Sequence, residues 1–227
     1  MIRVSEPFHG VIHVTFPTQE SLARAFLRMQ EYYECAFGNF RDRLFTREEF
    51  EAAYAKERGT EECTYYTDWG GFNVPGNSVN KFLSMFEPDS DEKELVEIIE
   101  NATTCGSRYY VIGTHENAGT TLNHELSHAF WYLHPAYKTE SSKLLAYLPT
   151  EFYKLFCDNL SDMGYHDDVL DDEIVAYAST STMVELTELL QSRKIPWDTI
   201  LVFQEAFDQY LTDRQNGQGE NSSAITS

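Results

Sequence analysis

The sequence predicts an α+β fold, with a small sheet in the N-terminal half, a central helix carrying the chemistry, and a mainly helical C-terminal half. Two β-rich runs, HGVIHVTF at 9–16 and RYYVIGT at 108–114, lie in the first half of the chain. Much of the remainder has apolar residues at helical spacing, punctuated by proline and glycine. At 227 residues and 42% hydrophobic, the chain can bury one real core. The expectation is a single domain over 1–213, followed by a polar, disordered tail at 214–227.

The elements follow in order. Residues 9–16 form a strand that stops at Pro17; His9 and His13 share one face of it, without a further ligand nearby to make a metal site. An amphipathic helix fits 21–37, with Leu22, Ala25, Phe26, Met29 and Tyr33 on one stripe. Another fits 46–58, opened by a capping box in which Thr46 precedes Glu49 by three. The segment TYYTDWGGFNVPG at 64–76 reads as an ordered loop or short hairpin, its aromatics either lining a cleft or pinning the loop to the core. Residues 91–101 are helical, and 108–114 form the second strand.

After a turn at Asn117 and Gly119, a helix spans 121–133, capped by the Thr120–Thr121 pair and ended by Pro135. A helical stretch at 143–160 should split or kink at Pro149 and end near Gly164. A further helix begins at Asp171 or Asp172, either of which can cap it. The last spans 197–211.

Charge narrows the function classes. A net charge of −20, with no basic run to offset it, disfavours nucleic acid and anionic membranes as partners. The first residues lack the apolar core of a secretory leader, and no stretch approaches the roughly 18 apolar residues of a membrane span. The four cysteines, Cys35, Cys63, Cys105 and Cys157, form no C-x-x-C pair and read as free thiols, and the expected location is cytoplasmic.

The chemistry sits at His124-Glu125-Leu126-Ser127-His128, an H-E-x-x-H motif. On a helix, positions i and i+4 point to one side, so both imidazoles can bind one Zn²⁺. Glu125, beside the first ligand, is placed for the water that zinc activates and not for the metal, which makes it the candidate general base. A shuffled chain of this composition would contain the motif roughly one time in fifty. The helix also has its own apolar stripe, Leu122, Leu126, Ala129, Phe130 and Leu133, which leaves the histidines free to face a cleft.

In these residues the chain resembles the zincin metallopeptidases, whose H-E-x-x-H helix follows an edge strand that pairs with the substrate backbone. The resemblance covers the strand, the active helix and a later ligand helix, under half the chain, and makes 108–114 the candidate edge strand. It implies a peptide or protein substrate. Two branches of the superfamily suggest different third ligands. The gluzincin branch takes a glutamate from a later helix, here Glu173 in DDEIVAYAS, with the small Ala176 and Thr180 on the same face. The metzincin branch extends the motif to a third histidine, here His134, with SDMGY at 161–165 as a faint methionine turn. That branch requires a helix-breaking glycine where this chain has Trp131. On a continuing helix His134 would sit about 9 Å along the axis from His128 and rotated away, so Glu173 is preferred.

Gluzincins often carry an acidic residue four after that glutamate, where this chain has Tyr177. Tyr177 is the candidate donor to the oxyanion at the substrate carbonyl, with Tyr165, His166 and His115 as weaker candidates. The expected function is therefore a zinc-dependent peptidase using His124, His128 and Glu173 as ligands and Glu125 and Tyr177 in catalysis. The alternatives are a zincin-like zinc-binding module without turnover and an acidic adaptor with a coincidental motif.

Overall fold

The computed structural model describes residues 1–35, 37, 40–104, 106–192 and 194–217. Its architecture is α+β and mostly helical, with one four-stranded mixed sheet. The strands are β1 (Arg3–Ser5), β2 (Val11–Phe16), β3 (Gly71–Pro75) and β4 (Tyr110–His115), in the order β1-β2-β4-β3. β2 and β4 run parallel, with Val11 opposite Tyr110; β1 and β3 flank them antiparallel. The helices of the first half are α1 (Gln19–Glu34), α2 (Arg47–Arg58), the single turn α3 (Tyr65–Asp68), α4 (Gly76–Met85) and α5 (Lys93–Ala102). Those of the second are α6 (Thr121–Leu133), α7 (Pro135–Leu145), α8 (Thr150–Met163), α9 (Leu170–Thr180), α10 (Met183–Leu189) and α11 (Trp197–Gln215).

The central strands are buried on both faces, which is why VIHVTF and YVIGTH read as nearly continuous apolar runs. Ile12, Val14 and Val111 join one core with α1, α2, α4 and α5. Val11, Tyr110 and Ile112 join the other, with the helices from α6 onward. Helices thus cover both faces of the sheet. Gly113 allows α1 to lie directly on β4, because a Cβ there would meet Phe26 at 2.5 Å and Leu22 at 2.6 Å. α1 is held in place by a buried ion pair in which Arg28 donates to both carboxylate oxygens of Glu92.

Local signals were kept where the side chains carry them. Thr46 and Glu49 form both halves of the expected capping box, at 3.2 and 2.8 Å. A second box, Thr18 with Ser21, starts α1 two residues before the expected position, and α1 ends at Glu34 instead of 37. The stretch expected at 143–160 does break before Pro149, where α7 ends at Leu145 and α8 starts at Thr150, but α7 begins earlier than expected, opened by Pro135 at its first turn.

Several expectations require correction. The segment 64–76 is neither loop nor hairpin; it contains α3 and strand β3. The candidate edge strand at 108–114 is β4, which has β2 on one side and β3 on the other and so has no free edge. The edge strand beside α6 is β3. Thr120 makes no capping hydrogen bond for α6, and Thr121 donates instead to the Ala118 carbonyl. Neither Asp171 nor Asp172 caps α9, whose N-cap is Val169. α11 runs on to Gln215, into the expected tail, and 218–227 lie outside the described residues. Cys35, Cys63 and Cys157 are free thiols, while Cys105 lies outside the described residues. No helix among the described residues is long and apolar enough to cross a membrane.

Candidate metal centre

α6 and α9 pack together next to the open side of β3. On α6, Leu126, Ala129 and Phe130 are buried in the core, which turns His124 and His128 toward α9. α9 approaches closely because Ala176 is fully buried and the Thr180 hydroxyl folds back onto the Ala176 carbonyl. Glu173, 4% exposed, is carried to the histidines on the first turn of α9.

His124, His128 and Glu173 each offer one ligand atom, all within 4.8 Å of one another. The two Nε2 atoms are 3.2 Å apart, and each lies 3.6 Å from a Glu173 oxygen. Two nitrogens held 2.0–2.1 Å from a tetrahedral ion would be about 3.3–3.4 Å apart, so the spacing fits a shared metal. Glu173 Oε2 is buried without a hydrogen-bond partner, as an atom reserved for an ion would be.

Asp172 is the functional neighbour that the sequence reading assigned elsewhere. Its Oδ1 lies 3.0 Å from His128 Nδ1, on the side away from Glu173. The two atoms are within ion-pair range but complete no hydrogen bond, and the carboxylate charge favours the His128 tautomer with Nδ1 protonated and the Nε2 lone pair toward the site. Burial works against a charged His128, but Asp172 and Glu173 outweigh it and raise its pKa well above the ordinary value. Burial also works against ionised Glu173, yet the two histidines hold its carboxyl below the usual range. Burial raises Asp172, with His128 partly offsetting it.

Glu125 is 5% exposed and lies beside this group without joining it. Its Oε2 accepts a 2.7 Å hydrogen bond from Asn73 Nδ2 on β3, and the Tyr110 hydroxyl donates to Asn73 Oδ1. Burial raises its pKa, partly offset by the two histidines and Asn73. That shift toward neutrality suits a group that must take up a proton. Gly71 makes the arrangement possible, because a Cβ there would stand 2.4 Å from Glu125 Oε1 and 2.4 Å from Thr121 Cγ2. Neither Asn73 nor Gly71 was anticipated from the sequence; the glycine pair at 70–71 was the available signal.

The other candidates separate clearly. Tyr177 packs edge-on against the His124 ring, centroids 4.6 Å apart, and its hydroxyl is 3.2 Å from that of Tyr165. Burial raises both phenols above their ordinary value. Tyr165 and His166 line the cleft in front of the histidines, a space of about 460 Å³, whereas Tyr177 is not among its lining residues. His115 is not among the lining residues and accepts from the Asn117 amide instead. α6 continues unbroken through Trp131, which leaves His134 at its C-cap, stacked on Phe130 and apart from the ligand cluster. Burial lowers the His134 pKa to about 4. The SDMGY segment is the C-terminal turn of α8 and also borders the cleft. His13 is buried with Nε2 2.8 Å from Thr114 Oγ1, and His9 is exposed, so the two form no site.

Comparisons of the chain with family models, with curated proteins and with solved structures yield no match in any of the three.

Proposed function

We propose that the protein is a zinc-dependent peptidase of zincin, gluzincin-like type. The observation that carries this reading is the convergence of His124, His128 and Glu173 at ligand spacing, with Glu125 held separately at the same cleft. The donor set of two imidazoles and one carboxylate matches a catalytic zinc site that keeps one position open. Zinc there supplies Lewis acidity, which polarises a carbonyl and brings the pKa of water to about 7. Glu125 takes the proton of the attacking water and passes it to the leaving amine. Asn73 keeps its carboxylate aimed at the cleft, and Asp172 keeps the His128 lone pair turned inward. Tyr165, which lines the cleft with the Tyr177 hydroxyl 3.2 Å behind it, is the donor to the developing oxyanion. Burial keeps both phenols protonated and therefore able to donate.

The test is Glu125→Gln, which keeps the shape of the side chain and removes its basicity. Peptide hydrolysis should fall by about 10²–10⁴-fold with zinc content unchanged. Undiminished turnover in this variant would contradict the role given to Glu125. Retained zinc in a wild type that hydrolyses nothing in a broad peptide library would support a zinc-binding module without turnover.

A further inference from the structure

The C-terminal half of α1 forms the wall of the cleft facing the metal centre, and it places two carboxylates there, Glu31 and Glu34. Glu31 is 9% exposed, and the only basic side chain acting on it among the described residues is Arg58, itself exposed at the end of α2. Arg58 is also the only Lys or Arg among the residues lining the cleft. Glu34 is half-buried, accepts a 2.5 Å hydrogen bond from Gln30 Nε2 and has no cation of its own, apart from the pull of His128 across the cleft. Carboxylates so withdrawn from water are costly without a counter-charge.

A second observation, two buried donors without partners, points to a missing ligand. Tyr65 is 1% exposed and lines the same cleft; its hydroxyl lies beside Glu31 but completes no hydrogen bond among the described residues. Trp69 Nε1, on the same wall, is likewise buried without a partner. Buried hydroxyls and indole N–H groups are ordinarily satisfied. Acids bordered by tyrosine and tryptophan rings have the composition of an ammonium or guanidinium site. A second metal ion fits less well, because the only metal-competent cluster among the described residues is His124, His128 and Glu173.

We propose that Glu31, Glu34 and the Tyr65 hydroxyl form a subsite for a positively charged group of the substrate, a protonated amine or a guanidinium, beside the metal centre. Both carboxylates accept hydrogen bonds from the cation, and the Tyr65 hydroxyl supplies a third acceptor. Burial raises the free acids, Glu31 to about 7 and Glu34 to about 8, so an arriving cation also shifts them to the ionised form that binds it. The identity of the ligand as a peptide rests on the peptidase reading above.

The experiment is calorimetric titration of zinc-loaded Glu125→Gln protein with three C-terminally amidated, alanine-based tetrapeptides. One is N-acetylated and carries a lysine side chain, one has a free N-terminus and no charged side chain, and one is N-acetylated and uncharged. At least one charged peptide should bind about ten- to hundredfold more tightly than the neutral one, the worth of one or two charge-assisted hydrogen bonds. The charged peptide that wins identifies the source of the cation. Adding Glu31→Gln or Glu34→Gln should remove most of the preference. Equal affinities, no binding of any peptide, or a preference that survives both substitutions would overturn the subsite. The three-peptide comparison needs neither substitution, so a variant that fails to fold leaves it decisive. Zinc content and wild-type turnover are measured alongside. Charge preference without either removes the peptidase reading alone, and zinc with turnover but no preference removes the subsite alone.

Discussion

Replacing Asp172 by asparagine takes one negative charge away from His128 while leaving a side chain of the same shape beside its Nδ1. The contact is 3.0 Å, between a histidine 2% exposed and a carboxylate 18% exposed, so little solvent screens it. Replacing a residue that orients a metal ligand typically costs about 10–100-fold in metal affinity. Asp172→Asn removes the charge and keeps the shape, so it should fall at the lower end, with roughly tenfold weaker zinc binding. Asp172→Ala, which also frees the ring to rotate, should approach the hundredfold loss typical of residues that orient metal ligands. Proton competition works the other way: Asp172 raises the His128 pKa, and zinc must displace that proton. The loss should therefore be largest at alkaline pH and shrink as pH falls. The assay is zinc competition against a chromophoric chelator at pH 6.5 and 8.5. Wild-type affinity in both variants at pH 8.5 would refute the reasoning.

Two further outcomes follow from the same geometry. Gly71→Ala should force the Glu125 carboxyl away from its bond with Asn73, because the new methyl would sit 2.4 Å from Oε1. Peptide hydrolysis should drop about a hundredfold, the cost of a misplacement near 1 Å, with zinc stoichiometry intact; wild-type kinetics would show that β3 does not set the position of Glu125. The third concerns pH. Burial raises Glu31 to about 7, so its contribution to stability is fully present below its unfolded value of 4.5 and is lost as pH rises through about 7. Glu31→Gln should therefore be nearly neutral near pH 4.5 and stabilising by about 3 kcal/mol at pH 8, read from denaturant melts. No pH-dependent difference between variant and wild type would contradict the burial of this acid.

What the sequence disclosed depended on how locally each feature is encoded. The H-E-x-x-H pair and the box at Thr46 are legible because helix periodicity alone turns spacing into geometry. Glu173 was reachable because it needs only a second helix with small neighbours. The exclusion of His134 followed from Trp131 continuing the helix. β3 was missed because GGFNVP has loop composition, and only its edge position, with a cleft beside Asn73, makes a glycine and a proline acceptable in a strand. Asp172 was read as a helix cap, a role open to any acid there; its pairing with His128 depends on the docking of α9 against α6. Asn73 meets Glu125 across 52 residues of sequence, and no local pattern encodes that encounter. α4, α10 and most of α7 were passed over because their short apolar faces are set by the elements they pack against.

The most direct test of the central claim is elemental analysis of zinc in purified wild type, Glu173→Ala and His134→Ala. The account predicts one zinc per chain in wild type and His134→Ala, and its loss in Glu173→Ala. Wild type without zinc after reconstitution, or full retention in Glu173→Ala, would contradict it.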